Sequence, residues 1–275
     1  MTFWDHLDVL RGVLVRIAVV VFALGVAAFI AMPWIFDHIV LAPCYGDFPL
    51  YRLLDTVASA SGLLPELADS TSFSVNVTSL ELTSQFFIHI SASCWVAVIF
   101  GFPIIIYELW SFISPALYPH EKRGVRKAFV WGNLMFYAGV AMGYFVVFPL
   151  AVRFLADYHL SDKISGVVSL ESYMDNMFTM LLLMGIVFEL PLLAWLLGKM
   201  GFLTRGFFKR YRRHAILGLT ILAAAITPTG DPFTLIAVFA PIYCLWELSA
   251  RLVPRAARDA GDEATPRRST YACNP

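Results

Sequence analysis

Residues 173–197 read YMDNMFTMLLLMGIVFELPLLAWLL, and this stretch decides the fold. A helix that crosses a ~30 Å hydrocarbon core needs roughly 20 mostly apolar residues. Past Asp175 the stretch holds one charged side chain, Glu189, in the middle of the apolar run. A carboxylate at bilayer depth costs at least ~2.5 kcal/mol, so Glu189 is expected to face a polar cavity, a partner or a water path. The plainer alternative is a structural Glu, protonated or hydrogen-bonded within the protein. Pro191 frees a carbonyl one turn earlier and predicts a kink in the same place.

Working outward, three further runs pass the same test, at 12–36, 86–113 and 125–149. Two later runs, 214–227 and 233–249, are short and are separated by the turn-forming Thr227-Pro228-Thr229-Gly230-Asp231-Pro232. They read as two short spans joined by a tight outer turn, with a re-entrant hairpin as the alternative. The whole chain agrees with this pattern, with 59% hydrophobic and 15% charged residues and a mean hydropathy of +0.71. A water-soluble globule of that composition would expose far more apolar surface than water tolerates. The expected architecture is an all-α membrane domain over 1–255, followed by a polar, disordered tail over 256–275. Residues 51–67 read as a short amphipathic helix or cap outside the bilayer.

Charge distribution orients the bundle. The formal net charge is zero, yet of the 20 Lys and Arg residues all but Arg52, Arg153 and Lys163 fall on one side. The positive-inside rule therefore predicts cytoplasmic N- and C-termini. The first apolar run reads as a retained helix, because 1–11 lacks the pattern of a cleavable signal. Cys44, Cys94, Cys244 and Cys273 fall in different environments, which argues against a disulfide framework or a thiolate metal site. Nucleotide-binding, metalloprotease and nucleophile-elbow motifs are absent from the sequence, and the six histidines are scattered. His89 reads as a structural hydrogen-bonder. With no nucleophile or metal set at bilayer depth, an intramembrane enzyme is disfavoured. A secondary transporter using Glu189 as a proton carrier is the rival reading, weakened by the lack of an internal repeat.

Two more clusters stand at the basic side. Residues 112–123 read FISPALYPHEKR, in which Pro115 and Pro119 stiffen the turn and hold Glu121 near the headgroups. A fixed carboxylate there can accept a bidentate guanidinium, whereas a solvated surface Glu is worth little. Residues 4–11, WDHLDVLR, form an amphipathic flank whose acids are available to a cationic ligand.

Taken together, these segments resemble the TatC family, the multispanning receptor subunit of the twin-arginine protein translocase. The likeness runs from about Phe3 to Arg255. It is carried by Phe112–Arg123, by Tyr144–Pro149, by Phe188-Glu189-Leu190-Pro191 and by the Thr227-Pro228…Asp231 turn. The resemblance implies a concave, glove-like bundle of six helices in the bacterial inner membrane. Such a bundle binds the paired arginines of a folded cargo's signal peptide at its cytoplasmic mouth and needs no cofactor. By motif, Glu121 receives the arginines and Phe112 lies in the same region. Arg11 matches the arginine of the N-terminal motif, Pro43 the proline of the first outer loop, and Glu189 the polar group of the concave face. Thr227 and Asp231 sit where single-span TatA- or TatB-type partners make contact. One departure stands out: the N-terminal motif carries Glu where this chain has Val9. Asp8 is adjacent but about 100° away around a helix, so it is not a simple replacement. The resemblance also implies an oligomeric complex driven by proton-motive force.

Overall fold

The computed structural model describes residues 3–61, 74–113, 122–157, 168–199, 201–227 and 232–253. Helix α1 (Phe3–Ile35) continues into a π-helical turn (Phe36–Val40) and a 3₁₀ turn (Ala42–Cys44). A short amphipathic helix α2 (Pro49–Ser61) follows, then a two-residue strand β1 (Val77–Thr78) and α3 (Ser84–Ile113). The third crossing is built from α4 (Lys122–Met142), a π-helical turn (Gly143–Val147) and α5 (Phe148–Asp157). Strand β2 (Val168–Ser169) leads into α6 (Leu170–Phe188) and α7 (Leu190–Lys199), which share the fourth crossing. The chain ends with α8 (Arg205–Arg210), α9 (Arg212–Ile226) and α10 (Pro232–Leu252).

Five of these helical runs are long and apolar enough to cross a membrane by length and composition: 7–44, 84–109, 129–156, 170–199 and 234–252. Helix α9, with 15 residues, adds the sixth and covers about 22 Å at ~1.5 Å per residue. Only α9 is short. Helix α10 extends three residues beyond the expected end at Ser249 and crosses unaided. Glu247, inside that run, is paired with Arg212 of α9. The chain is thus an all-α, multi-pass membrane protein of six spanning helices. The Thr227–Pro232 turn and the 256–275 tail fall largely or wholly outside the described residues.

Helix α1 packs along α3, α4 packs along α6, and α10 packs against α7 and α9. The α4–α6 seam is the tightest. A side chain at Gly139 would bring its Cβ to 2.5 Å from the Met184 carbonyl oxygen and 2.8 Å from Phe188. One at Gly185 would come within 2.6 Å of the Phe136 ring. Without a hydrophobic force between helices in lipid, such small residues let backbones approach and dispersion accumulate. Phe136 fills the core beside this seam, stacked on Phe102 of α3 with ring centroids 3.5 Å apart.

Two helix-interior prolines show how the fold meets the no-water condition of a bilayer. Pro33 leaves the Phe29 carbonyl without its helical donor, and His89 of α3 lies 2.9 Å away, donating to it as the Nε2–H tautomer. Pro103 does the same to the Ile99 carbonyl, which accepts from the Tyr137 hydroxyl at 3.3 Å. In each case a neighbouring helix supplies the missing donor.

The end remote from the α1 N-terminus is locked by three tyrosines. The π-helical and 3₁₀ turns after α1 leave carbonyls exposed to the interior. Tyr144 donates to Ile39 O at 2.8 Å and Tyr173 to Val40 O at 2.6 Å. Tyr51 of α2 lies 3.0 Å from both Pro43 O and Pro149 O. Arg153 stacks over the Tyr51 ring at 5.6 Å. The strands β1 and β2 pair in parallel, Val77 with Val168 and Thr78 with Ser169, and tie the loop before α3 to the start of α6.

Candidate functional site

The basic end gathers the N-terminal half of α1, the end of α3, the start of α9 and the end of α10. On α1, Asp8, Gly12 and Arg16 follow at four-residue spacing, each step turning only about 40° further round the helix. On α3, Glu108 and Phe112 have the same relation. The two rows are joined by an ion pair: Arg16 Nη2 lies 2.8 Å and its Nε 2.9 Å from Glu108 Oε2. Asp8 and Phe112, both expected at this site from sequence, therefore lie two turns and one turn beyond the bridge, respectively, on facing helices. Asp8 and Arg11 are exposed and Phe112 is half-buried. Glu121 and Asp231 lie outside the described residues.

Sequence reasoning did not single out Arg16 or Glu108. Each reads as one charge at the margin of an apolar run, and only the packing of α1 on α3 makes them a pair. A second brace of the same kind closes the far side of this end. Arg212 Nε donates to Glu247 Oε1 at 2.8 Å, its Nη2 donates to the same oxygen, and the Tyr243 hydroxyl donates to it at 3.2 Å. Arg205 reaches the open carbonyls at the end of α10, Val253 O at 2.9 Å and Arg251 O at 2.6 Å.

Glu189 sits at the break between α6 and α7, as the sequence predicts. Its backbone N–H turns to Ile186 O at 3.0 Å, and Pro191 restarts the helix two residues on. The carboxylate lies against the backbone of α4: a Cβ at Gly132 would stand 3.3 Å from Oε2 and 3.6 Å from Oε1. Oε1 is shielded from solvent and has no hydrogen-bond partner. Asn133, the next residue of α4, donates to Phe129 O at 2.8 Å while its own Oδ1 is likewise shielded and unmatched. Beside the Glu189 turn, an apolar groove of about 390 Å³ runs between α4, α7 and α10, lined by Trp131, Met135, Leu192, Trp195, Leu248 and Leu252.

Two expected residues are not brought to these places. Pro43 is buried in the tyrosine-locked end, its carbonyl taken by Tyr51. Helix α1, at ~1.5 Å per residue, separates it from Asp8 by roughly 50 Å. Thr227 ends α9, buried, with its hydroxyl donating to Ala223 O at 3.1 Å. Among the described residues no cluster of three or more His, Cys, Asp or Glu could hold a metal ion.

Six apolar helices, a half-buried acid at a helix break and guanidinium–carboxylate pairs at one basic end define a polytopic helical membrane protein. The model of the family described as Sec-independent protein translocase protein (TatC) matches residues 5–241, and the chain belongs to that family. It is 32% identical over 252 residues to the Sec-independent protein translocase protein TatC of Blattabacterium, covering 90% of this chain and 93% of that one. With the Escherichia coli K12 protein of the same name it shares 34% identity over 168 residues, 61% of this chain and 64% of that one. A crystal structure of a twin-arginine translocase receptor, TatC, superposes with a TM-score of 0.70 at 27% identity. That match covers 90% of this chain and 99% of the other. The chain is a TatC component of the twin-arginine translocase, a machine with other subunits, and its relatives are transport proteins rather than enzymes.

Proposed function

We propose that this chain is the receptor subunit of a twin-arginine translocase, binding the signal peptides of folded cargo at a cytoplasmic mouth in the inner membrane. The observation that supports this most directly is the α1–α3 corner, where Arg16 pairs with Glu108 and where Asp8 and Phe112 continue the two helix rows toward the same end. Both termini lie on that cytoplasmic side, as the Lys and Arg bias requires. Glu121, with Asp8 and Asp5, accepts two guanidiniums through charge-assisted bonds of about 1.5–3 kcal/mol each. Arg11 flanks the site. The apolar part of the signal then lies along the groove leading to Glu189. Pro43 acts at a distance, by holding the outer end in shape. Thr227 and Asp231 mark the contact for single-span TatA- or TatB-type partners, which assemble into an oligomeric complex driven by proton-motive force.

The test is crosslinking. A photoreactive group near Glu121 should capture an Arg-Arg signal peptide and lose most of that capture with the Lys-Lys form, because an ammonium cannot reproduce the planar fork. Equal capture of both would defeat the receptor reading. The shielded, unmatched Oε1 of Glu189 also suits a proton pathway. That rival predicts proton flux in liposomes holding this chain alone, abolished by Glu189→Gln.

A further inference from the structure

We propose that Glu108 is a second guanidinium acceptor at this mouth, occupied at rest by Arg16, and that an incoming cargo arginine takes Arg16's place. The proposal rests on the receptor reading above and adds an acid that the family motifs do not name.

The Glu108 side chain is only 14% exposed, whereas that of Arg16 is 56% exposed. The acid is therefore held in the packed wall while its partner lies on the outer surface of α1. Both Arg16 nitrogens use one oxygen, Oε2, and among the described residues Oε1 has no bond. The third guanidinium nitrogen, Nη1, lies over Gly12, 3.7 Å from where a Cβ would stand. The guanidinium is thus folded back along α1 toward Asp8 and the open end.

Ion pairs with one solvent-reachable partner are weak and exchangeable. Removing Arg16 outright would leave a carboxylate uncompensated near bilayer depth, which is costly. Exchanging one guanidinium for another avoids that state, because Glu108 stays paired throughout. The charge inventory of the wall also stays constant, since the displaced Arg16 swings into water. Glu108, one turn inward of Phe112, can then take one of two neighbouring arginines. Lysine is discriminated against there, lacking the two N–H groups that lie side by side on Arg16.

The sign of one substitution separates this from a plain structural brace. The full chain in nanodiscs is titrated with a fluorescent peptide carrying Arg-Arg before an apolar segment, and with its Lys-Lys twin. Arg16→Gln removes the competitor and should tighten Arg-Arg binding by roughly tenfold, and Arg16→Lys by less. Glu108→Gln should weaken it about tenfold or more, and the double variant should behave like Glu108→Gln. A brace would make Arg16→Gln and Glu108→Gln err in the same direction. Weaker or unchanged binding by both Arg16 variants, or unchanged binding by Glu108→Gln, overturns the exchange. A parent chain that does not prefer Arg-Arg over Lys-Lys overturns the receptor reading itself, a result visible before any variant is made.

Discussion

The two ends of this molecule are held together by different chemistry. At the end remote from the α1 N-terminus, the neutral hydroxyls of Tyr51 and Tyr173 bond buried backbone carbonyls, and that of Tyr144 bonds the Ile39 carbonyl at the surface. At the basic end, Arg16–Glu108 and Arg212–Glu247 join helices through charges that water reaches. A buried hydroxyl–carbonyl bond has no substitute once broken, so it fixes shape. A half-exposed ion pair can trade either partner for water or for a ligand of like charge, so it permits exchange. The contrast assigns rigidity to one end and reception to the other.

The sharpest way to break that contrast is Tyr51→Ala, which empties a fully buried ring site and strands the carbonyls of Pro43 and Pro149. A loss of about 3–5 kcal/mol is expected, read as a large fall in the thermal midpoint in detergent. A variant within 1 °C of the parent would show that the outer end is not locked by this residue. Gly139→Val probes the seam that ties both ends together. Its Cβ meets the Met184 carbonyl, a backbone atom that cannot swing aside, and about 3 kcal/mol of overpacking should follow. Retained stability with α4 and α6 still crosslinkable at their native spacing would refute the close-approach account.

Tyr173→Phe keeps the ring and removes the hydroxyl, with its bond to Val40 O and its side-chain bond with Cys44, so about 2 kcal/mol should be lost. The smallest effect belongs to the other end. Arg212→Gln should shift the midpoint far less than Tyr173→Phe, and the gap between parent and variant should close as salt screens the pair. A larger shift from Arg212 than from Tyr173 would invert the comparison and make the basic end the structural one.

How much of this was legible beforehand depends on the range of the interaction. Glu189 and Pro191 announce a break because both act on their own helix, and α6 does end there. The bonding role of His89 was foreseeable, although its acceptor was not. Glu108 was passed over because an acid next to an aromatic at a span's end resembles an ordinary flank. The extent of α10 was underestimated because Arg251 looks like the end of the apolar run, whereas the helix carries it as the cation of its last turn. Pro43 was grouped with the binding residues on motif alone, and its burial at the other end follows from the turns after α1, which no local pattern reveals.

Apolar run length alone dictated a multi-pass helical bundle, since a bilayer requires apolar side chains and a backbone satisfied within each helix. Which carbonyl meets which tyrosine, which glycines touch, and which arginine holds Glu108 were decided by helix packing. Those contacts join residues as many as 133 positions apart in the chain. Their partners are chosen by the rotation and depth of whole helices, quantities that no short window of sequence contains.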